Sequence, residues 1–307
     1  MVSVPAKLYA HPEDQKLLQA LTSVGAVQSL VERVLQLGET GYRVFLLSEA
    51  VKVGPKQFPE IYQIAVHAAE KLGLSVLPDI FVTPDLEANA FALGAKRPFV
   101  VVHQGLLNLF ETDELAFVIG HEFGHLAAGH GVYTTIAQVA VEGTSSVASS
   151  ALAGFFFGWI LAEVSQRALW ASLFRWYRAG EHTADRAGAL VALDYGDKKT
   201  PIRALAKLTL KSLAGQVDLD EWVRQGRELK TLGQDALEKA YAQALHYLNT
   251  WNRSHPLGLL RASDLHEWLD REHGIVEDYA RKRSELKERL VQRLVKKGGK
   301  KDGAKNA

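Results

Sequence analysis

The sequence predicts an α+β chain, mainly helical, with one small sheet. Along most of the 307 residues, apolar side chains recur at the three-and-four spacing of amphipathic helices. Only residues 79–83 (Asp-Ile-Phe-Val-Thr) and 98–103 (Pro-Phe-Val-Val-Val-His) break into short β-branched runs bounded by Pro and Gly. The 47% apolar content can fill a sizeable core, and neither an internal repeat nor a linker divides the chain before its basic end. One mainly helical domain is the economical expectation.

Taken in order, the segment Leu17 to Leu37 places Val27, Leu30, Val31, Val34 and Leu35 at helical spacing, and Gly38 and Gly41 then supply a stop. A second helix starts at Pro59, lays Ile61, Ile64, Ala65, Ala68 and Leu72 on one face and ends at Gly73. The two β-branched runs flank Asn89-Ala90-Phe91, a candidate third strand. Thr112 and Asp113 can then cap a helix whose apolar face uses Leu115, Val118 and Ile119, with no proline before Leu126.

Residues 143–162 carry no charge and include Phe155, Phe156, Phe157, Trp159 and Ile160, about the length of a membrane span. Ser145, Ser146, Ser149, Ser150, Gly154 and Gly158 dilute that hydrophobicity. A buried or membrane-touching helical hairpin within 131–180 is therefore favoured over a true transmembrane hairpin. From Thr200 to Trp251 the pattern is helical again, through Leu205, Leu208 and Leu213, then Leu229, Leu237, Tyr241, Leu245 and Leu248, with Pro201 marking a start and Pro256 a break. A last helix from about Ser263 to Leu269 leads into a charged C-terminal one.

The formal charge of +1 argues against a nucleic-acid protein with a wholly basic surface. From Arg281 to Lys305, however, 11 Lys or Arg stand against three Asp or Glu, which predicts a basic helix to about Val295 and then a disordered tail. The absence of cysteine removes disulfides, thiolate ligands and a thiol nucleophile together, so any metal must be held by His, Asp or Glu. The first residues lack the apolar run of a secretory signal.

Residues 121 to 125 read His-Glu-Phe-Gly-His. Positions i and i+4 of a helix lie one above the other, so His121 and His125 can reach one metal ion while Glu122 stands beside it as a general base. With 11 His and 21 Glu in the chain, about 0.03 such matches are expected by chance. A catalytic zinc site commonly takes three protein ligands. The downstream candidates for the third are Glu163, Glu181, His182 and Asp185. Glu181 and Asp185 are i and i+4 on a helix whose neighbours Ala184, Ala187, Gly188 and Ala189 let another helix come close. That spacing suits Glu181 as ligand and Asp185 as acceptor for the outer N–H of a metal-bound histidine. The alternative is a pair of surface ion pairs with Arg178 and Arg186. His130 and His182 are read as structural or solvent-facing.

The chain resembles the zinc metallopeptidases typified by HtpX and the prenyl-protein (CAAX) endopeptidases, a gluzincin group marked by HExxH and a later ExxxD. Four stretches match in order: Asn89-Ala90-Phe91, His121 to His125, Glu181 to Asp185, and His255-Pro256 with Arg261 beyond. The resemblance implies a gluzincin-type metallopeptidase domain with a small β-sheet beside the HExxH helix. It implies one Zn2+ per chain on His121, His125 and Glu181, with Glu122 as base and Asp185 supporting or donating a proton. It also implies substrate along an edge strand at Asn89, Ala90 and Phe91, with His255 and Arg261 approaching the metal cleft. His255 is the candidate second electrophile for the oxyanion.

The expected organisation is an N-terminal helical segment over 1–55, a metallopeptidase domain over 56–280 with the 131–180 insertion, and a basic helix and tail over 281–307. The expected function is zinc-dependent cleavage of unfolded or extended polypeptides, in protein quality control, by a cytoplasmic protein that is soluble or touches a membrane surface through 143–162 and the basic tail. The alternative is a latent zinc scaffold or chaperone-like binding protein at a membrane surface.

Overall fold

The computed structural model describes residues 2–22, 39–93, 97–131, 167–231 and 258–302. Over these the chain is the expected mainly helical α+β fold, helices surrounding one four-stranded sheet.

The first helix, α1 (Pro12–Thr22), begins ahead of the predicted Leu17, and the rest of that predicted helix lies outside the described residues. Residues 39–49 form α2, so Gly41 sits inside a helix rather than stopping one. A glycine there costs about 1 kcal/mol of helix propensity, and burial of Leu46 with Tyr42 against the sheet outweighs it. A short strand, β1 (Val51–Lys52), follows, then α3 (Pro59–Leu72) with the predicted residues Ile61, Ile64, Ala65, Ala68 and Leu72 all buried. Gly73 closes α3 at φ 74°, its N–H bonding back to the last turn, a left-handed conformation that glycine adopts without a Cβ penalty.

The sheet runs β1-β2-β4-β3, with β2 (Asp79–Thr83), β3 (Ala90–Leu93) and β4 (Phe99–His103). The central pair is parallel, in register from Asp79 opposite Phe99 to Thr83 opposite His103. Strand β3 lies antiparallel on the far side of β4, Ala90 opposite Val102. Among the described residues no strand covers its outer edge. Side chains alternate across the sheet. Ile80, Val82, Ala90, Ala92, Val100 and Val102 enter the main core with α3 and α5, while Phe81, Phe99 and Val101 meet Leu46 of α2 on the opposite face.

After the short α4 (Gln104–Leu107) comes α5 (Thr112–Ala127), which carries the HExxH residues. Its cap is Glu111, not the predicted Thr112 or Asp113. The Glu111 carboxylate accepts the N3 backbone N–H, and the Glu114 carboxylate accepts the Glu111 N–H at 2.9 Å. This is a reciprocal capping box in which a glutamate does the work of the usual serine or threonine. The buried Glu114 also receives Arg203 Nε at 2.8 Å and Lys207 Nζ at 2.6 Å, both from α7 (Thr200–Leu210). Two cations and a backbone donor compensate the burial of that carboxylate and lock the start of α5 in place.

The remaining elements are α6 (Arg167–Ala192), α8 (Leu219–Thr231), α9 (Gly258–Arg271) and α10 (His273–Asp302). The α7 helix ends where Lys211 takes a positive φ of 56°. The α9 helix is longer at both ends than the predicted Ser263 to Leu269, and α10 runs past Val295 to Asp302, where a disordered tail was expected. Lysine and arginine are good helix formers and sustain it despite the glycine pair near its end. Residues 143–162 lie outside the described residues. Among the described residues no helix is long and apolar enough to cross a membrane.

Candidate active site

The site forms where α5 crosses α6, and the crossing is close because small residues line it. A Cβ on Gly124 would stand 2.5 Å from the Ala187 Cβ, one on Gly120 would stand 2.8 Å from Val191, and one on Gly188 would stand 2.6 Å from the Phe117 carbonyl oxygen. The predicted stripe of Ala184, Ala187, Gly188 and Ala189 therefore does bring a second helix in. Glu181 and Asp185, one turn apart on α6, face His121 and His125, one turn apart on α5.

His125 Nε2 lies 3.2 Å from His121 Nε2 and 3.3 Å from Glu181 Oε1, and His121 Nε2 lies 3.7 Å from Glu181 Oε2. Among the described residues these three side chains form a group able to hold a metal ion, with ligand atoms all within 4.8 Å and every residue buried. Metal–ligand bonds of about 2.0–2.1 Å in a tetrahedral site set neighbouring ligand atoms roughly 3.3 Å apart. The His121–His125 and His125–Glu181 separations are of that size, while His121 lies nearer the second oxygen of the Glu181 carboxylate. The donor set fits as well, being two imidazoles and a carboxylate with no thiolate.

The surrounding groups fix that face. His121 Nδ1 is 3.1 Å from Asp185 Oδ1, so the inner nitrogen donates to a carboxylate and leaves Nε2 as the atom that points inward. Asp185 is held in turn by Arg261, whose Nε and Nη2 donate to its two oxygens at 2.8 and 2.5 Å, while Nη1 reaches Glu181 Oε2 at 2.9 Å. Burial alone would raise the Asp185 carboxyl, but the Arg261 guanidinium and the His121 hydrogen bond hold it well below the usual carboxylate range. Burial alone would likewise lower Arg261, yet the two carboxylates beside it raise it further. At His125 burial is outweighed by the Glu181 carboxylate, so its affinity for a proton goes up. At His121 burial outweighs the neighbouring carboxylates, so its affinity for a proton goes down.

Glu122 is buried on α5, its charge felt at His125. The Asn89 backbone lies at the rim of the sheet, its carbonyl accepting the His103 N–H at 3.0 Å. Ala90 and Phe91 lie on β3, the outer strand of the sheet that packs against α5. Arg261 is brought to the candidate metal group, with its guanidinium engaged by Asp185 and Glu181. His255 lies outside the described residues. His182 meets Asp264 at 3.4 Å and stacks obliquely on His11.

His130 is buried, not solvent-facing, and its partners were not foreseen. It contacts His125 on one side and Asp14 of α1 on the other. No local pattern links residues 116 positions apart, so only the fold brings them together.

The model of peptidase family M48 matches residues 55–269. The plastoglobule-localized metallopeptidase 48 of Arabidopsis thaliana is 32% identical over 267 residues, covering 85% of this chain and 72% of the relative. A protease HtpX homolog from Desulfatibacillum aliphaticivorans is 30% identical over 198 residues, covering 58% of this chain and 61% of the relative. Protease HtpX of Stutzerimonas stutzeri is 33% identical over 135 residues, 38% of this chain and 47% of the relative. The chain therefore spans less than two thirds of these HtpX proteins. No solved structure matches it. With the metal-binding geometry of α5 and α6 and a family match across most of the chain, the protein belongs to peptidase family M48 and is a metallopeptidase, a hydrolase of peptide bonds.

Proposed function

We propose that the protein is a zinc-dependent endopeptidase that cleaves extended or unfolded polypeptide chains. The observation that carries this reading is the convergence of two histidine Nε2 atoms and the Glu181 carboxylate, with ligand atoms within 4.8 Å of one another and Glu122 buried alongside. When bound there, zinc supplies a Lewis acid that makes water acidic enough to act as a nucleophile near neutral pH.

The residues of the chain do the rest. Glu122 takes the proton of the attacking water and returns it to the departing amine, since its backbone position on α5 sets it next to the ligands without making it one. Asp185 stays ionised beside Arg261 and therefore orients His121 instead of donating a proton. Arg261 acts by holding Asp185 and Glu181 in place, a positioning role rather than a substrate contact. An extended peptide would add along the outer edge of β3, where main-chain hydrogen bonds would give affinity with little dependence on sequence. Asn89, Ala90 and Phe91 line that edge. His255 is assigned on sequence grounds as the donor to the developing oxyanion. The HtpX resemblance favours a role in protein quality control, and membrane-surface contact through 143–162 and the basic tail is part of the same proposal.

The test compares hydrolysis of an unfolded protein by zinc-loaded wild type and Glu122→Gln, with zinc content measured in both. A loss of about 10²–10⁴-fold at equal zinc is expected. Equal rates would sink the assignment of Glu122, and inactivity of both with zinc bound would favour the latent scaffold.

A further inference from the structure

We propose that Asp14, on α1 and outside the stretch matched to the family, is a positioning residue for the metal ligand His125 and acts through His130. The inference rests on reading His125 as a ligand.

The contacts form a line through the buried core. His125 Nδ1 is 3.0 Å from His130 Nδ1, and His130 Nε2 is 2.9 Å from Asp14 Oδ2. All three side chains are buried. A ligating Nε2 carries no proton, so the proton of neutral His125 sits on Nδ1 and must be donated. The atom placed to receive it is His130 Nδ1, which must then be an acceptor. A neutral imidazole that accepts at Nδ1 carries its proton at Nε2, and that N–H is aimed at Asp14. The Thr183 hydroxyl donates to the same Asp14 oxygen at 2.6 Å, so the carboxylate is held as a pure acceptor. Each ring has one allowed tautomer, and together they leave His125 Nε2 as the lone pair.

The two histidine ligands are thus supported in different ways. His121 reaches a carboxylate directly, at Asp185, whereas His125 reaches one through an interposed imidazole. The chain geometry builds that imidazole in. Gly129 takes φ +78° just after α5, the His130 N–H bonds back to the His125 carbonyl at 2.9 Å, and the ring is wedged between Trp176, edge-on at 5.4 Å, and Gly180, where a Cβ would stand 3.3 Å from it. A carboxylate that only docked α1 on α6 would need the Thr183 contact and nothing more. The Nδ1-to-Nδ1 contact is what ties it to the ligand.

Loss of such a support typically costs 10–100-fold in metal affinity. Zinc affinity of the full chain, measured by chelator competition, is expected to fall about 10–100-fold in Asp14→Leu and in His130→Phe. The double variant is expected to bind zinc no more weakly than His130→Phe alone, because the effect runs through one ring. Asp14→Asn, which keeps an acceptor oxygen, should recover most of the affinity. Arg186→Met removes a different tie between the N-terminal segment and α6, the bond to the Tyr9 carbonyl at 3.2 Å, and should lower stability while sparing zinc affinity. Imidazole ¹⁵N shifts of the zinc-loaded wild type, which need no variant to fold, should report His125 protonated at Nδ1 and His130 at Nε2. Additive losses, an Arg186→Met effect on zinc equal to that of Asp14→Leu, or a His130 protonated at Nδ1 would overturn the proposal. Wild type that binds no zinc would overturn the metal site along with it, whereas wild-type binding with unaffected variants would remove the Asp14 role alone.

Discussion

At the α5–α6 crossing a Cβ on Gly124 would stand 2.5 Å from that of Ala187, and at the α8–α9 crossing one on Gly226 would stand 2.7 Å from the Leu259 carbonyl oxygen. Both pairs use a glycine to bring two backbones together, yet they place charge differently. Between α8 and α9, Lys230 meets Asp264 at 2.6 Å and Glu267 at 3.4 Å, all partly open to water. Between α6 and α9, Arg261 meets Asp185 and Glu181 with side-chain exposures of 4% or less. A single helix, α9, therefore carries a solvated ion-pair face and a buried one. Close packing alone does not mark a site. Burial of ionic groups that must satisfy one another does, because each would be expensive without its partners.

Arg261→Met tests that contrast most severely, since it leaves two carboxylates buried without their guanidinium. A loss of about 3–5 kcal/mol is expected in urea unfolding of the metal-free protein. A loss below 1 kcal/mol would mean that the two faces of α9 are energetically alike. Next comes Gly124→Val, which forces α5 and α6 apart. It should cost about 1–3 kcal/mol and lower zinc affinity with it, whereas Gly226→Val should match the stability loss and leave zinc binding intact.

Acidification gives a smaller effect, centred on His11 at the start of α1. Burial, with lesser contributions from His182 and Arg186 that Glu13 and Asp264 oppose, lowers its pKa from 6.5 to about 4. The unfolded chain then binds the extra proton between those values, so stability is full above pH 6.5 and declines as the pH falls toward 4. Thermal unfolding should show His11→Gln losing roughly 2–4 °C less than wild type over that window. An unchanged pH slope would remove His11 from the account. Least of all should happen in Lys230→Met, where the exposed pair predicts a change of about 0.2–1 kcal/mol.

The parts of this arrangement that the sequence disclosed are those written in local spacing. HExxH put two histidines of the candidate metal group, with Glu122 beside them, on one helix. ExxxD among alanines and glycine gave a second helix, the third member of the candidate metal group and a carboxylate in contact with His121. The buried face of α3 and the β2 and β4 runs followed from their periods. The partners that had to be supplied by the fold were hidden. Asp14 is one of two adjacent acids in α1, and nothing near it in the chain distinguishes it from Glu13. His130 read as structural or solvent-facing because its neighbours in sequence do not show that its ring lies between His125 and Asp14. The α2 helix was missed because its glycine was weighed on local propensity, before burial of Leu46 could be counted. The α5 cap was misplaced by one residue because glutamate is an uncommon N-cap, although its carboxylate accepts the same N–H.

His121 and His125 occupy the last two turns of a 16-residue helix. There the aligned peptide dipoles leave about half a negative charge on the exposed carbonyl end. The backbone of α5 therefore contributes to holding a cation before any side chain is considered. A neutral histidine pair would lose that contribution if the same motif were placed at the helix start, where the dipole repels positive charge. If the two imidazoles bind a metal as proposed, part of the favourable potential for it comes from the helix that presents them.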